Sequence, residues 1–171
     1  MKKTFLVFIT VGILVLVIPS CSFTLDGAST KGLKTINVGY FENDAPLVIA
    51  TLSQDFTETI KAQIRSTTSL SIVRTEQADC TMTGSITGYS IAPVSIQATN
   101  ATTAPIASAS ALTVTIQVKY VNNVDKTKSF DQSFSESQNF TGDPASQQNT
   151  LLPAIIKALS EDIFNKAFAS W

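Results

Sequence analysis

The chain has 171 residues, with 12 basic and 13 acidic side chains and no histidine. A chain without histidine cannot build a Ser-His-Asp triad, a Cys-His pair or a histidine-ligated zinc site. The slightly acidic charge argues against general nucleic-acid binding, and 44% hydrophobic with 15% charged residues argues against intrinsic disorder. The composition therefore favours a folded protein that binds rather than catalyses.

The N terminus has the pattern of a lipoprotein signal peptide. Lys2 and Lys3 give a positive start, and the apolar run 5–18 is short for a membrane-spanning helix. The run leads to Ile18-Pro19-Ser20-Cys21, which resembles a bacterial lipobox with an apolar residue at −3 and a small one at −1. We therefore interpret residues 1–20 as a cleaved signal. The alternative is an ordinary secretory signal that leaves Cys21 free.

The lipobox resemblance implies what is attached to Cys21 and where the protein goes. It implies a thioether-linked diacylglycerol and, after cleavage, an N-acyl chain such as palmitate, and we expect no other cofactor. Ser22 at the second mature position implies delivery to the outer membrane, with the protein on the periplasmic side. Residues 21–34 are mostly small and polar, typical of a flexible tether, and 35–171 are expected to form a single domain.

The first half of that domain alternates between strand and helix patterns. Residues 35–41 alternate with period 2, which predicts a strand. Apolar side chains then recur every four residues through Leu52, Phe56, Ile60 and Ile64, which predicts an amphipathic helix. Thr51, with Gln54 three residues later, fits a capping box at its start.

Two further strands are predicted at 70–74 and 80–91. Gly84 and Gly88 lie within the second of them, which suggests close approach of the helix layer and a bulge near Gly88. If Cys21 is acylated, Cys80 is the odd cysteine. It is either a reactive thiol or, as we favour, a small buried hydrophobe at the start of the strand.

The second half contains the clearest strands. Residues 92–110 carry no charge and are either a long mobile connection or a hairpin whose ends extend the flanking strands. Residues 112–120 alternate cleanly between apolar and polar side chains, 122–128 form a turn, and 130–140 form the partner strand. These two strands predict an antiparallel hairpin with one dry face and one face of Thr, Ser and Gln.

The last element is predicted to be a helix over 151–168, capped by Thr150 and with Pro153 in its first turn. Together the elements predict an α+β fold. In it, two helices pack on one face of a mostly antiparallel four- to five-stranded sheet.

Several stretches, in order along nearly all of 21–171, resemble the LptE family of lipopolysaccharide-assembly lipoproteins in the form found in Bacteroidetes. The main ones are 35–38, 43–48, 52–58, 84–89 and 161–168 with Trp171. The resemblance implies a non-enzymatic outer-membrane lipoprotein with two helices on a four-stranded sheet. It also implies that this protein plugs the LptD β-barrel, helps the barrel fold, and helps deliver lipopolysaccharide to the outer leaflet.

The resemblance further implies contact with lipopolysaccharide through basic side chains. The lysines available near the predicted hairpin turn are Lys119, Lys126 and Lys128. A simpler interpretation is that these lysines only keep the turn solvated. Two other functions also remain open from the sequence: activation of a cell-wall synthase, and carriage of a lipid or other small ligand.

Overall fold

The computed structural model describes residues 30–47, 49–94 and 109–169. Cys21 and the signal lie outside these ranges. In chain order the elements are β1 (Thr35–Val38), β2 (Glu42–Asn43), α1 (Leu52–Thr67), β3 (Ser71–Val73), β4 (Cys80–Val94), β5 (Ala109–Asn122), β6 (Phe130–Phe140) and α2 (Pro144–Phe168). A short 3₁₀ turn, Lys126–Lys128, lies between β5 and β6.

The strands form one six-stranded sheet in the order β3-β1-β4-β5-β6, with β2 pairing on β4. The predicted α+β class and both helices are confirmed. The sheet is mixed rather than purely antiparallel, and it has six strands where four to five were predicted. β1 runs parallel to β3 and β4, and β2 also runs parallel to β4. The cause is α1, because a helical crossover returns the chain in its original direction, as a parallel pairing requires.

The β4–β5 hairpin is the longest pairing in the described sheet. It runs from Cys80 opposite Asn122 to Val94 opposite Ala109, so the ends of 92–110 do extend the flanking strands. Residues 95–108 lie outside the described ranges. The predicted bulge is confirmed: Ile86 pairs with Ile116 while Gly88 pairs with Thr115, which leaves one extra residue between them. The bulge shifts the parity of β4 and turns Tyr89 into the core.

The core lies between the helices and one face of the sheet. Alternate side chains of β5 point into the core, and so do the side chains that recur every four residues in α1. All of them are at most 1% exposed. They are Leu112, Val114, Ile116, Val118 and Tyr120 of β5, and Leu52, Phe56, Ile60 and Ile64 of α1. Each such side chain contributes roughly 1.5–3 kcal/mol of transfer free energy when it is buried. α2 adds Ile155, Leu159, Ile163 and Phe168 from the same side.

The starts of both helices differ from the predictions. The capping box is wrong, because Thr51 has a helical backbone and its side chain makes no cap hydrogen bond. α2 begins at Pro144 rather than after Thr150, and the Asp143 carboxylate accepts a hydrogen bond from the Ser146 N–H at 3.1 Å. An Asp cap followed directly by Pro is a strong helix start. Pro153 therefore lies inside α2, where its exposed position leaves the unbonded carbonyl of the preceding turn open to water.

Gly84 allows close approach, but not of the helix layer as predicted. A Cβ atom at Gly84 would collide with the carbonyl oxygen of Gln117 on β5 and would lie 2.8 Å from Cε1 of Phe41. The Phe41 ring comes from the segment between β1 and β2 and packs edge-on against Phe56, with centroids 4.9 Å apart. The glycine thus makes room for an aromatic ring that joins the sheet to α1.

Asp79 ties the start of β1 to the start of β4. Its Oδ2 atom accepts hydrogen bonds from the backbone N–H of Lys34 at 2.8 Å and of Thr35 at 2.9 Å. Its backbone carbonyl accepts from the N–H of Asn123 at 2.8 Å, which adds the β5–β6 turn to the same junction. The hydrogen bonds from Lys34 and Thr35 hold the pKa of the Asp79 carboxyl below its ordinary value.

Gly84→Ala should lower the free energy of unfolding by about 1–3 kcal/mol, because an overpacked core must shift backbone or the Phe41 ring. Denaturant unfolding measures the loss. Gly88→Ala is the matched control on the same strand. Its Cβ atom would meet Thr115, at 3.1 Å from the side chain and 3.9 Å from the backbone nitrogen. This substitution should cost less than about 1 kcal/mol. Equal effects of the two substitutions would contradict this role for Gly84.

Asp79→Asn should destabilise the fold at neutral pH and lose its effect in acid. A carboxyl whose pKa is depressed by folding stabilises the folded state above its unfolded pKa, about 3.9, and loses that contribution as pH falls through the folded pKa. Urea midpoints at neutral pH and well below pH ~4 measure the difference. Asp162→Asn is the control, since among the described residues its exposed carboxylate accepts no hydrogen bond. A gap that persists unchanged in acid would refute this linkage.

Candidate functional site

The face of the sheet turned away from the helices is polar and uncovered by other elements of the described chain. We call the outward side chains of β4, β5 and β6 the open sheet face. They are mostly hydroxyl and amide groups: Thr83, Ser85, Ser90, Thr113, Thr115, Gln117, Ser133, Ser135 and Ser137. The charges within the open sheet face are Lys119 and Asp131, which are cross-strand partners.

Cross-strand hydrogen bonds order this face. The Thr113 and Ser137 hydroxyl oxygens lie 2.6 Å apart, and those of Thr115 and Ser135 lie 3.0 Å apart. Gln117 Nε2 donates to Asp131 Oδ1 at 2.6 Å. These bonds hold short side chains in fixed positions and leave further lone pairs pointing outward. The open sheet face can therefore meet another polar surface without burying many charges and with little side-chain entropy to lose.

The structure separates the three predicted lysines into two places. Lys126 and Lys128 lie exposed together in the 3₁₀ turn between β5 and β6, and Lys126 Nζ donates to Asn123 Oδ1 at 3.1 Å. Lys119 lies on the open sheet face, opposite Asp131. The three residues therefore do not form one cluster of positive charge.

An acidic residue also lies within the turn. The Asp125 carboxylate accepts hydrogen bonds from Thr127, at 2.6 Å from the hydroxyl and 3.1 Å from the backbone N–H. These bonds hold the pKa of Asp125 below its ordinary value, so this carboxyl remains ionised at neutral pH. Its charge offsets part of the positive charge of Lys126 and Lys128.

Two lysines far from the turn in sequence lie beside it in the fold, and they were not predicted as part of the site. Lys31 and Lys34 are exposed and precede the first strand, and the Asp79 junction brings that segment beside the β5–β6 turn. We call Lys31, Lys34, Lys126 and Lys128 the basic end. No local pattern could have revealed it, because its two halves are brought together by tertiary contacts.

Cys80 is a core residue. The side chain is fully buried, and its Sγ atom lies 3.6 Å from the carbonyl oxygen of Thr35. Burial raises the pKa of the thiol to about 11, so the nucleophilic thiolate is scarcely populated at neutral pH. The interpretation of Cys80 as a small buried hydrophobe is therefore confirmed.

Among the described residues, open grooves lie beside the helices at two places. One of about 350 Å³ runs between the first halves of α1 and α2 and is lined mainly by polar side chains: Thr51, Asp55, Thr59, Gln148 and Asn149, with Leu152, Pro153 and Ile156. The other, of about 360 Å³, lies between β6 and the end of α2 and is lined by Phe134, Asp162, Asn165, Lys166 and Ala169. Neither is the enclosed apolar cavity that suits a carried lipid.

Within 30–47, 49–94 and 109–169, no group of three or more cysteine or acidic side chains is placed to hold a metal ion. No helix in the described part of the chain has both the length and the apolar character needed to cross a membrane.

Solved structures share this fold at very low sequence identity. The rare lipoprotein B from Shewanella oneidensis matches with a TM-score of 0.52 at 8% identity, over 76% of this chain and 90% of that one. Lipoprotein B from Nitrosomonas europaea matches with a TM-score of 0.51 at 10% identity, over 77% and 80%. The protein CT253 from Chlamydia trachomatis matches with a TM-score of 0.53 at 6% identity, over 79% and 98%. These likenesses establish the fold alone, and no curated protein matches the sequence.

The family is established by a separate comparison. The model of the LptE family, described as lipopolysaccharide-assembly, matches residues 33–167. That match spans every strand of the sheet and almost all of both helices. The proteins of this family are not enzymes, which confirms the prediction that the chain is non-enzymatic. The chain thus belongs to the LptE family of lipopolysaccharide-assembly lipoproteins.

Proposed function

We propose that this lipoprotein is anchored in the outer membrane through diacylglycerol and N-acyl chains on Cys21 and seats on its periplasmic side in an LptD-type β-barrel. In this role it helps the barrel assemble and helps deliver lipopolysaccharide to the outer leaflet. Membership of the LptE family supports the part in lipopolysaccharide assembly. The open sheet face is the observation that carries the further step to a barrel partner.

The lumen of a large outer-membrane barrel is polar. A protein that fills it must therefore present polar groups over a wide area and must not leave charges buried without partners. The open sheet face meets both conditions, since three long strands display hydroxyl and amide groups there, and cross-strand hydrogen bonds fix those of β5 and β6. Within the described part of the chain the helices cover only the other side of the sheet, which leaves this face for the partner.

Lipopolysaccharide is the second partner in the proposal. Its phosphate groups are strong acceptors for ammonium donors, and Lys126 and Lys128 lie exposed in one turn. We assign the main contact to these two residues. Lys119 contributes less, because Asp131 lies directly opposite it on β6.

Ser135→Arg should reduce the amount of barrel that co-purifies with the lipoprotein by about ten-fold or more. The substitution puts a bulky charge midway along β6 on the open sheet face, where burial against a barrel wall would leave it unpaired. Ala154→Arg, at an exposed position of α2 on the other side of the molecule, is the matched control and should bind normally. Thermal unfolding checks that both variants fold.

The contrary outcome is equal recovery of the barrel by Ser135→Arg and Ala154→Arg. Recovery of a penicillin-binding protein in place of a barrel would instead support activation of a cell-wall synthase.

The double substitution Lys126→Glu and Lys128→Glu should weaken lipopolysaccharide binding by about ten-fold or more, since each charged hydrogen bond to phosphate contributes ~1.5–3 kcal/mol. Binding is measured by fluorescence titration with the purified chain. Lys157→Glu, at an exposed position of α2, controls for net charge. Unchanged affinity in the double variant would contradict the assignment of the lipopolysaccharide contact to Lys126 and Lys128.

A further inference from the structure

We propose that the basic end, together with Val124, docks on an anionic phospholipid surface and thereby fixes which end of the domain faces the membrane. The proposal rests on the proposed lipid anchor at Cys21. It adds a second, electrostatic membrane contact that is made by the folded domain itself.

The docking surface is one continuous part of the structure. The Asp79 junction joins the segment before β1 to the β5–β6 turn. The N–H groups of Lys34 and Thr35 donate to the Asp79 carboxylate, and the N–H of Asn123 donates to its backbone carbonyl, at 2.8–2.9 Å. Gly32, which has a φ of +84°, lies against Val124 of the turn: a Cβ atom at Gly32 would be 3.6 Å from Cγ1 of Val124. The four lysines of the basic end are therefore displayed around a single tip.

Val124 stands out at this tip because it is a large apolar side chain left 58% exposed. Lys126 and Lys128 follow Val124 closely in the turn. Lys31 directly precedes Gly32, the glycine that Val124 covers. Surfaces that rest in the headgroup region of a bilayer combine exposed apolar side chains with surrounding lysines or arginines. This local composition fits an interfacial contact better than a purely solvated turn.

The balance of charge at the tip is positive. The four lysines of the basic end face two carboxylates, Asp79 and Asp125, and both carboxylates are held by hydrogen bonds inside the tip. The neighbouring β3–β4 loop carries Arg74 and Glu76, whose charges offset each other.

The opposite end of the domain is acidic, so an anionic surface would orient the molecule. α1 ends near the tip, because the Ser71 N–H just beyond it donates to the carbonyl of Lys34. The first half of α1, which holds Asp55 and Glu58, therefore lies toward the far end. α2 has the same direction, since the Phe168 ring packs on Tyr120 near the end of β5, with centroids 5.7 Å apart, and the start of α2 carries Asp143.

The anchor adds a geometric reason for the membrane as the occupant. The described chain begins at Thr30, next to Lys31, so a membrane-inserted lipid on Cys21 would keep the basic end close to the membrane. Even fully extended, the intervening residues span only about 30 Å, at roughly 3.4 Å per residue. The basic end is thus held near the headgroups, where each lysine strengthens attachment to an anionic surface about five-fold, or ~1 kcal/mol.

The test measures the exposure of individual lysines on membranes. The lipidated full chain is reconstituted in phosphatidylcholine vesicles with or without phosphatidylglycerol and treated with an amine-acetylating reagent. Mass spectrometry then gives the rate at each lysine. We expect the rates at Lys31, Lys34, Lys126 and Lys128 to fall several-fold on vesicles containing phosphatidylglycerol, and high salt to restore them. Lys157, near the middle of α2 and exposed, is the internal control and should not change.

Variants separate a shared electrostatic contact from simple shielding. Lys126→Gln with Lys128→Gln should remove most of the protection at Lys31 and Lys34, whereas Lys157→Gln should retain it. Equal acetylation rates on both kinds of vesicle would overturn the proposal, and so would equal protection of Lys157. Protection by lipopolysaccharide but not by phosphatidylglycerol would also overturn it, in favour of the lipopolysaccharide contact.

Flotation with neutral phosphatidylcholine vesicles reports the anchor independently. The native chain should float, and Cys21→Ala should not. If the native chain fails to float but anionic vesicles still protect the basic end, the anchor proposal fails while the docking surface stands.

Discussion

The alternation of side chains along β5 is the constraint on which the rest of the structure depends. A pleated strand sends successive side chains to opposite faces, and β5 lies between β4 and β6 with its apolar series fully buried. Once α1 and α2 cover that series, the intervening Thr and Gln side chains must face outward. The open sheet face is therefore a direct consequence of the way the core is packed. The surface that we assign to the barrel is fixed by the same pattern that holds the protein together.

The two ends of the sheet are differentiated by its loops. At one end, hydrogen bonds to Asp79 hold the segment before β1 against the β5–β6 turn. The resulting tip carries the four lysines of the basic end and the exposed Val124. At the other end lie the starts of both helices, with their acidic residues. Acidic residues at helix N-termini suit the helix dipole. The charge asymmetry of the domain thus follows partly from the common direction of its helices, and it gives the molecule a membrane-facing end in our proposal.

Residues with a strict period were the ones whose structure could be predicted. The four-residue spacing from Leu52 to Ile64 and the two-residue spacing from Leu112 to Tyr120 both gave the correct element and the correct buried face. Predictions based on single side chains were less successful. Thr51 has the sequence context of an N-cap, but its backbone is helical and its side chain makes no cap hydrogen bond. The second helix begins at Asp143-Pro144 and not at the predicted cap, Thr150. Gly84 was correctly associated with close packing, although the neighbour is the Phe41 ring and the β5 backbone.

By itself, the sequence determined the classes of element, their buried faces, the absence of histidine chemistry and the lipobox resemblance at Cys21. These features follow from local periodicity and residue type. Only the tertiary structure decided that β1 lies parallel between β3 and β4, and that Lys31 and Lys34 stand beside Lys126 and Lys128. The physical reason is that such contacts depend on hydrogen bonds between distant residues, such as Lys34 and Asp79, which are 45 positions apart. No local periodicity encodes that separation, because α1 and β3 lie between the two partners along the chain.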